Sequence, residues 1–209
     1  MAERDWDANY KDGDLPWDTG EPDVQLVELV RSGKVAPGRA LEVGAGTGTN
    51  ARWLAQQGFD VLAVDVSPRA VEQARAKLPT PAPRCRFEVR DFLAAPPEGP
   101  FTFVFDRGCF HIFDEAADRA RFAANVAARL APGGVWLSLI GSTEGPAREF
   151  GPPRRTARDV IDALEPVLAI EELAAVTFDL RAGLPLAPAA WRCVARARTV
   201  PAQPSTRRA

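Results

Sequence analysis

Short apolar runs alternate along the chain with stretches whose apolar residues recur every three or four positions. "RALEVG" reads as a buried strand; a glycine loop follows, and then "NARWLAQQG", a helix ended by Gly58. "DVLAVDVS" is the next strand, after which Ser67 caps the helix "PRAVEQARAKL" with Pro68 at its first position. "CRFEVRDF" and "FTFVFDRG" supply two more strands. The alanine-rich helix "DEAADRARFAANVAARL", stopped by "APGG", leads into the strand "VWLSLIG". A late helix near "TARDVIDALEP" precedes weaker strands near "AIEELAAVTFD" and "AAWRCVARARTV". Strands alternating with helices predict an α/β fold, a doubly wound, mostly parallel seven-stranded sheet with helices on both faces. In the last segment Trp191, Cys193, Ala195 and Ala197 alternate with Arg192, Val194, Arg196 and Arg198, which predicts an antiparallel edge strand with one wet face.

The pattern divides the chain into an arm (1–22), a body (23–199) and a polar, proline-spaced tail (200–209) expected to be flexible. With 209 residues, one domain is the simplest reading. A formal net charge of -2 gives no general attraction to nucleic acid or anionic membranes. No apolar run reaches membrane-spanning length, and the acidic start lacks a secretory h-region. Three scattered cysteines and one histidine form neither a disulfide framework nor a metal site, so a reduced cytoplasm is expected and no metal. Oligomeric state stays open.

The chemistry concentrates where open sheets bind ligands, at the carboxyl ends of the strands. In "LEVGAGTGTN", Gly44, Ala45, Gly46 and Gly48 join a strand to a helix; glycines there admit a ligand close to the backbone, and the helix start favours negative groups. The following strand ends in Asp65, where an acid takes ribose hydroxyls. The third ends in Asp91-Phe92, an acid beside an aromatic, suited to an adenine. A nicotinamide dinucleotide would share the first two features, but its fingerprint needs glycine or alanine where Thr49 stands.

In this order the motifs resemble those of class I S-adenosylmethionine-dependent methyltransferases: "LEVGAGTGTN", "VLAVDVSP", "VRDF" and "LAPGGVWLSL" cover roughly residues 39–140. The resemblance implies S-adenosyl-L-methionine as cofactor. It sets Gly44, Ala45, Gly46 and Gly48 near the methionine end with Glu42 beneath them, Asp65 on the ribose, Val66 against the adenine, and Asp91 and Phe92 at the adenine's edge. The leader "WDANYKDGDLPWDTGEP" and the element "FDRG" are similar to those of the thiopurine, thiol and halide methyltransferase group. That likeness implies an arm folded over the cofactor, with Trp6 and Trp17 as covers and Arg107 at the reaction centre. A small-molecule acceptor with a soft nucleophile such as a thiol is then expected, with neither nucleic acid nor membrane as partner. An O- or N-methyltransferase, or a non-catalytic or NAD-type binder, remains the alternative. His111, the sole histidine, is the candidate general base should the acceptor be a hydroxyl; Arg107 is the other candidate catalytic residue.

Overall fold

The computed structural model describes residues 5–13, 15–79, 84–146, 151–179 and 187–198. The proposed tail, 200–209, lies outside them. Two helices precede the sheet: α1 (Trp6–Asp12), capped by the Asp5 carboxylate, and α2 (Val24–Arg31), capped by Asp23. The body then runs β1 (Arg39–Val43), α3 (Thr49–Gln56), β2 (Asp60–Asp65), α4 (Pro68–Ala76), β3 (Cys85–Val89), β4 (Phe101–Arg107), α5 (Ala116–Ala127), β5 (Leu130–Gly141), α6 (Ala157–Leu164), β6 (Leu168–Thr177) and β7 (Ala189–Ala197). Ser67 and Pro68 open α4 as their residue types dictate, and Thr156 with Asp159 closes a capping box on α6. The first half of the arm is helical, with Trp6 and Tyr10 one turn apart on one face.

The seven strands lie in the order β3-β2-β1-β4-β5-β7-β6. The first five are parallel, while β7 runs antiparallel to both β5 and β6. Both faces are buried, as the continuous apolar strands require. Along β2, Val61 and Ala63 join one core with Leu26, Leu54, Phe87, Phe103 and Phe105. Leu62 and Val64 join the other, with Phe101, Phe110, Phe122 and Trp136.

One segment departs from its sequence reading. β7 is an inner strand, and β6 takes the edge. Two of the three arginines read as facing water are spent on the neighbouring strand, Arg192 pairing with Glu172 and Arg196 with Glu171, while Arg198 pairs with Glu165 at the end of α6. A pattern of alternating charge looks the same whether the charges meet solvent or a partner strand.

Strand order reverses between β1 and β4, both of which end beside the loops that follow them. That switch point is where an open α/β sheet leaves a crevice for a ligand. Among the described residues no helix is long and apolar enough to cross a membrane.

Candidate functional site

A cavity of about 680 Å³ opens at this switch point. Its floor is the glycine loop after β1. Gly44 and Gly46 hold φ values of 70° and 54°, in the left-handed region open to glycine, and a Cβ on Gly46 would stand 3.0 Å from the Tyr10 hydroxyl. Gly48 belongs to the packing rather than the cavity, since a Cβ there would meet the Phe87 ring at 2.5 Å. Its φ of 79° starts α3 without a side-chain cap.

Asp65, at the end of β2, lines the cavity and is buried. It holds the loop: the Gly46 N–H donates to Oδ2 at 2.8 Å and the Ser67 N–H to Oδ1 at 2.9 Å. Burial raises its pKa against those donors. Val66 follows with half its surface exposed on the cavity wall, where a flat apolar group could cover it. Glu42 lies buried beneath the loop. Asn50 Nδ2 donates to its Oε1 at 3.2 Å, Oε2 has no partner, and burial pushes the carboxyl up to about 8.

Asp91 and Phe92 sit apart from the cavity lining. Asp91 Oδ1 is occupied by the N–H groups of Leu93 and Ala94 at 2.8 and 3.1 Å, closing a turn. Phe92 turns inward and packs 4.9 Å from Phe122, so its ring serves the core instead of a ligand.

The arm forms the roof. Trp17 meets Trp6 edge-on at 6.0 Å and Tyr10 at 6.4 Å. Three polar anchors tie this aromatic cluster down. Asp7 accepts from Ser67 Oγ at 2.6 Å, the Arg69 N–H at 3.1 Å and Arg69 Nε at 2.8 Å, which places a carboxylate on the first turn of α4. Thr47 Oγ1, inside the glycine loop, donates to Asp18 at 2.7 Å. The third anchor is Arg107, which donates from Nε to Asp23 at 2.7 Å, from Nη1 to the Trp17 carbonyl at 3.2 Å, and from Nη2 to the Asp179 carbonyl. The guanidinium lies 5.2 Å from the centre of the Phe178 ring. Arg107 thus borders the cavity as the clasp joining arm, α2 and the end of β6.

The far wall follows from "DRGCFH". Asp106 is fully buried and accepts from the Cys109 and Phe110 N–H groups and from Trp136 Nε1, shaping one turn of 3₁₀ helix (Phe110–Ile112). That turn presents Cys109, His111 and Ile112 to the cavity, facing Pro152, Pro153 and Phe178. The Gly141 N–H donates to His111 Nδ1 at 2.7 Å. Burial holds the Cys109 thiol well above its ordinary pKa. Arg154 and Arg155 beside this wall are structural: Arg154 donates to the Ser142, Thr143 and Gly145 carbonyls, and Arg155 pairs with Asp114 at 2.7 Å.

Trp6, Trp17, Gly44, Ala45, Gly46, Asp65, Val66, Arg107 and His111 are therefore brought together on one cavity; Gly48, Asp91 and Phe92 lie off it, and Glu42 lies beneath. Sequence reasoning missed Tyr10, Asp18, Asp23, Thr47, Asn50 and Phe178. Only the spacing of Tyr10 four residues after Trp6 and the place of Thr47 within the glycine loop offered a signal. Among the described residues, no group of three or more potential ligands could hold a metal ion.

Comparison with known proteins gives this cavity a context. The thiopurine S-methyltransferase family model matches residues 1–177, arm and body together. A probable thiol methyltransferase 2 of Arabidopsis thaliana is 29% identical over 85% of this chain and 78% of its own. Thiocyanate methyltransferase 1 of Brassica oleracea is 30% identical over 82% of this chain and 78% of its own. A solved structure from work on the conversion of a disulfide bond into a thioacetal group during echinomycin biosynthesis superposes with a TM-score of 0.76 at 28% identity, covering 87% of this chain and 84% of that one. The chain belongs to the thiopurine S-methyltransferase family and is an S-adenosylmethionine-dependent methyltransferase.

Proposed function

We propose that the protein methylates a small molecule at a soft nucleophile, a thiol before any other. The observation that carries this is the end of the cavity walled by Cys109, Ile112, Pro152, Pro153 and Phe178, where the bordering Arg107 already donates to Asp23 and to the Trp17 and Asp179 carbonyls. Such a wall suits a soft, polarisable acceptor. The relatives' names agree in kind, since thiols and thiocyanate are soft sulfur nucleophiles.

The residues present fit S-adenosylmethionine. Gly44, Ala45 and Gly46 leave room for a ligand against the backbone, Asp65 offers lone pairs to ribose hydroxyls, Val66 offers an apolar face, and Trp6, Tyr10 and Trp17 close over the cavity. Aromatic faces also attract a sulfonium. When bound, the cofactor supplies a methyl group on a cationic sulfur that leaves as a neutral thioether. The chain's own task is to hold the acceptor close and in line, exclude water and keep the arm shut, and such alignment supplies much of the acceleration of a bimolecular step.

A screen with radiolabelled methyl donor tests the reading across thiols, halides, phenols and amines. Thiols should lead. Turnover confined to phenols or amines would overturn the soft-nucleophile assignment while leaving the family intact.

A further inference from the structure

A fully buried carboxylate stands behind one wall of the cavity. Asp106, near the end of β4, lies just before residues that line that wall, Gly108, Cys109, His111 and Ile112. Its two oxygens have separate partners. Oδ1 accepts the Cys109 N–H at 3.2 Å and the Phe110 N–H at 3.0 Å, and Oδ2 accepts Trp136 Nε1, in the core, at 2.9 Å. Burial raises the Asp106 pKa to about 6, so at neutral pH both oxygens still act as acceptors. The turn held by Oδ1 packs against the glycine loop: a Cβ on Gly44 would stand 3.2 Å from Cys109 Cβ and 3.4 Å from its Sγ. It is also braced on β5, where the Gly108 N–H donates to the Leu139 carbonyl at 2.9 Å and the Gly141 N–H donates to His111 Nδ1 at 2.7 Å. One carboxylate oxygen therefore sets where this wall stands relative to the glycine loop.

We propose that Asp106 is a positioning residue for methyl transfer: through Oδ1 it holds the turn from Cys109 to Ile112 against the glycine loop, which keeps the acceptor in line with the methyl group. This rests on the reading of that wall as the acceptor's end of the cavity. Asp106 acts through the turn and takes no part in the bonds made and broken. In-line displacement punishes misplacement, with about 1 Å worth about a hundredfold in rate. The role asks only for an acceptor facing the two backbone N–H groups. Asparagine can supply one, its carbonyl taking the place of Oδ1 while its NH₂ faces Trp136. Leucine, of similar shape, cannot, and the serine hydroxyl falls short of the turn.

Asp106→Asn, Asp106→Leu and Asp106→Ser test this in the full-length protein, with Leu and Ser as alternative loss variants so that either one that folds decides. All should melt earlier than wild type, since each loses a buried hydrogen bond, and all should keep the affinity for S-adenosylhomocysteine. With saturating methyl donor and benzenethiol as acceptor, Leu or Ser should lose about a hundredfold in kcat/KM, whereas Asn should retain most of it. Because the chain has one histidine, ¹³C-histidine labelling reports on the turn alone. In protein saturated with S-adenosylhomocysteine, which steadies the fold, that signal should move in the Leu or Ser variant and stay in place in Asn. A loss variant that turns over like wild type, an Asn variant that falls as far as Leu, or a histidine signal unmoved by Leu or Ser would overturn the role of Asp106. A wild type that methylates no thiol, with the histidine signal behaving as expected, would instead overturn the thiol reading.

Discussion

Arg107 and Asp23 meet as a nearly buried ion pair, Nε to Oδ2 at 2.7 Å, their side chains 11% and 2% exposed. The pair lies 84 residues apart in sequence and fastens β4 to the start of α2. Burial raises the Asp23 pKa even with Arg107 opposing it, so Asp23 depends on its partner. Arg107→Ala should cost on the order of 3–5 kcal/mol near neutral pH, because removing one member of a buried pair strands the other. The loss should shrink in acid, where Asp23 escapes by taking a proton. Urea unfolding at two pH values measures both effects, and an unchanged midpoint would show that the clasp contributes nothing.

The arm should open where its anchors are cut. Asp18→Ala removes the acceptor for Thr47 Oγ1, and Asp7→Ala removes three contacts on α4. Limited proteolysis should then cleave between Trp6 and Gly20 faster than in wild type, with the melting of the sheet unaltered. S-adenosylhomocysteine should protect the wild-type arm more than that of the double variant. Equal cleavage with and without ligand would make the tryptophan cluster a simple staple.

Asp65 makes a demanding test of cofactor binding because both its oxygens already accept backbone N–H groups. An amide in its place would turn an NH₂ toward one of those donors. Asp65→Asn should therefore bind S-adenosylhomocysteine as poorly as Asp65→Ala, roughly ten- to a hundredfold below wild type by calorimetry. Full affinity in the Asn variant would show that the carboxylate charge is dispensable.

Glu42 should leave a mark on the pH dependence of stability. Its folded pKa is about 8 against an ordinary 4.5, because burial disfavours the charged form. Below 4.5 both states hold the proton and nothing is lost. Between 4.5 and 8 the unfolded chain releases it while the fold retains it, so this group's contribution falls as pH rises; above 8 the penalty is constant. Glu42→Gln mimics the protonated form and should remove that decline, gaining on the order of a few kcal/mol over wild type at pH 8 and little at pH 5. Parallel stability curves for the two proteins would rule out a protonated Glu42.

The sheet was legible in the sequence because strand periodicity, caps and glycine stops are local. Asp65 and the glycine loop were legible for the same reason: both occupy the ends of strands, and the crevice lies at those ends. Phe92 was misplaced because sequence position alone does not say which way a side chain turns after a strand, and packing against Phe122 decided it. Gly48 looked like its neighbours, yet the Phe87 ring demands it. Asp18, Asp23 and Phe178 escaped notice because their meaning comes from partners far along the chain: Thr47 for the first, Arg107 for the other two. The arginines of β7 showed how a charge that pairs can pass for a charge that is solvated.

The place of β7 between β5 and β6 has a consequence for the nascent chain. β5 pairs with β4 on one side, but its other edge, Val135 to Gly141, is covered only by β7, the last described strand. Until that strand emerges from the ribosome, an apolar row of unpaired backbone donors and acceptors stands open to other chains. Synthesis of the C-terminal hairpin is thus the step that takes this protein out of danger of aggregation.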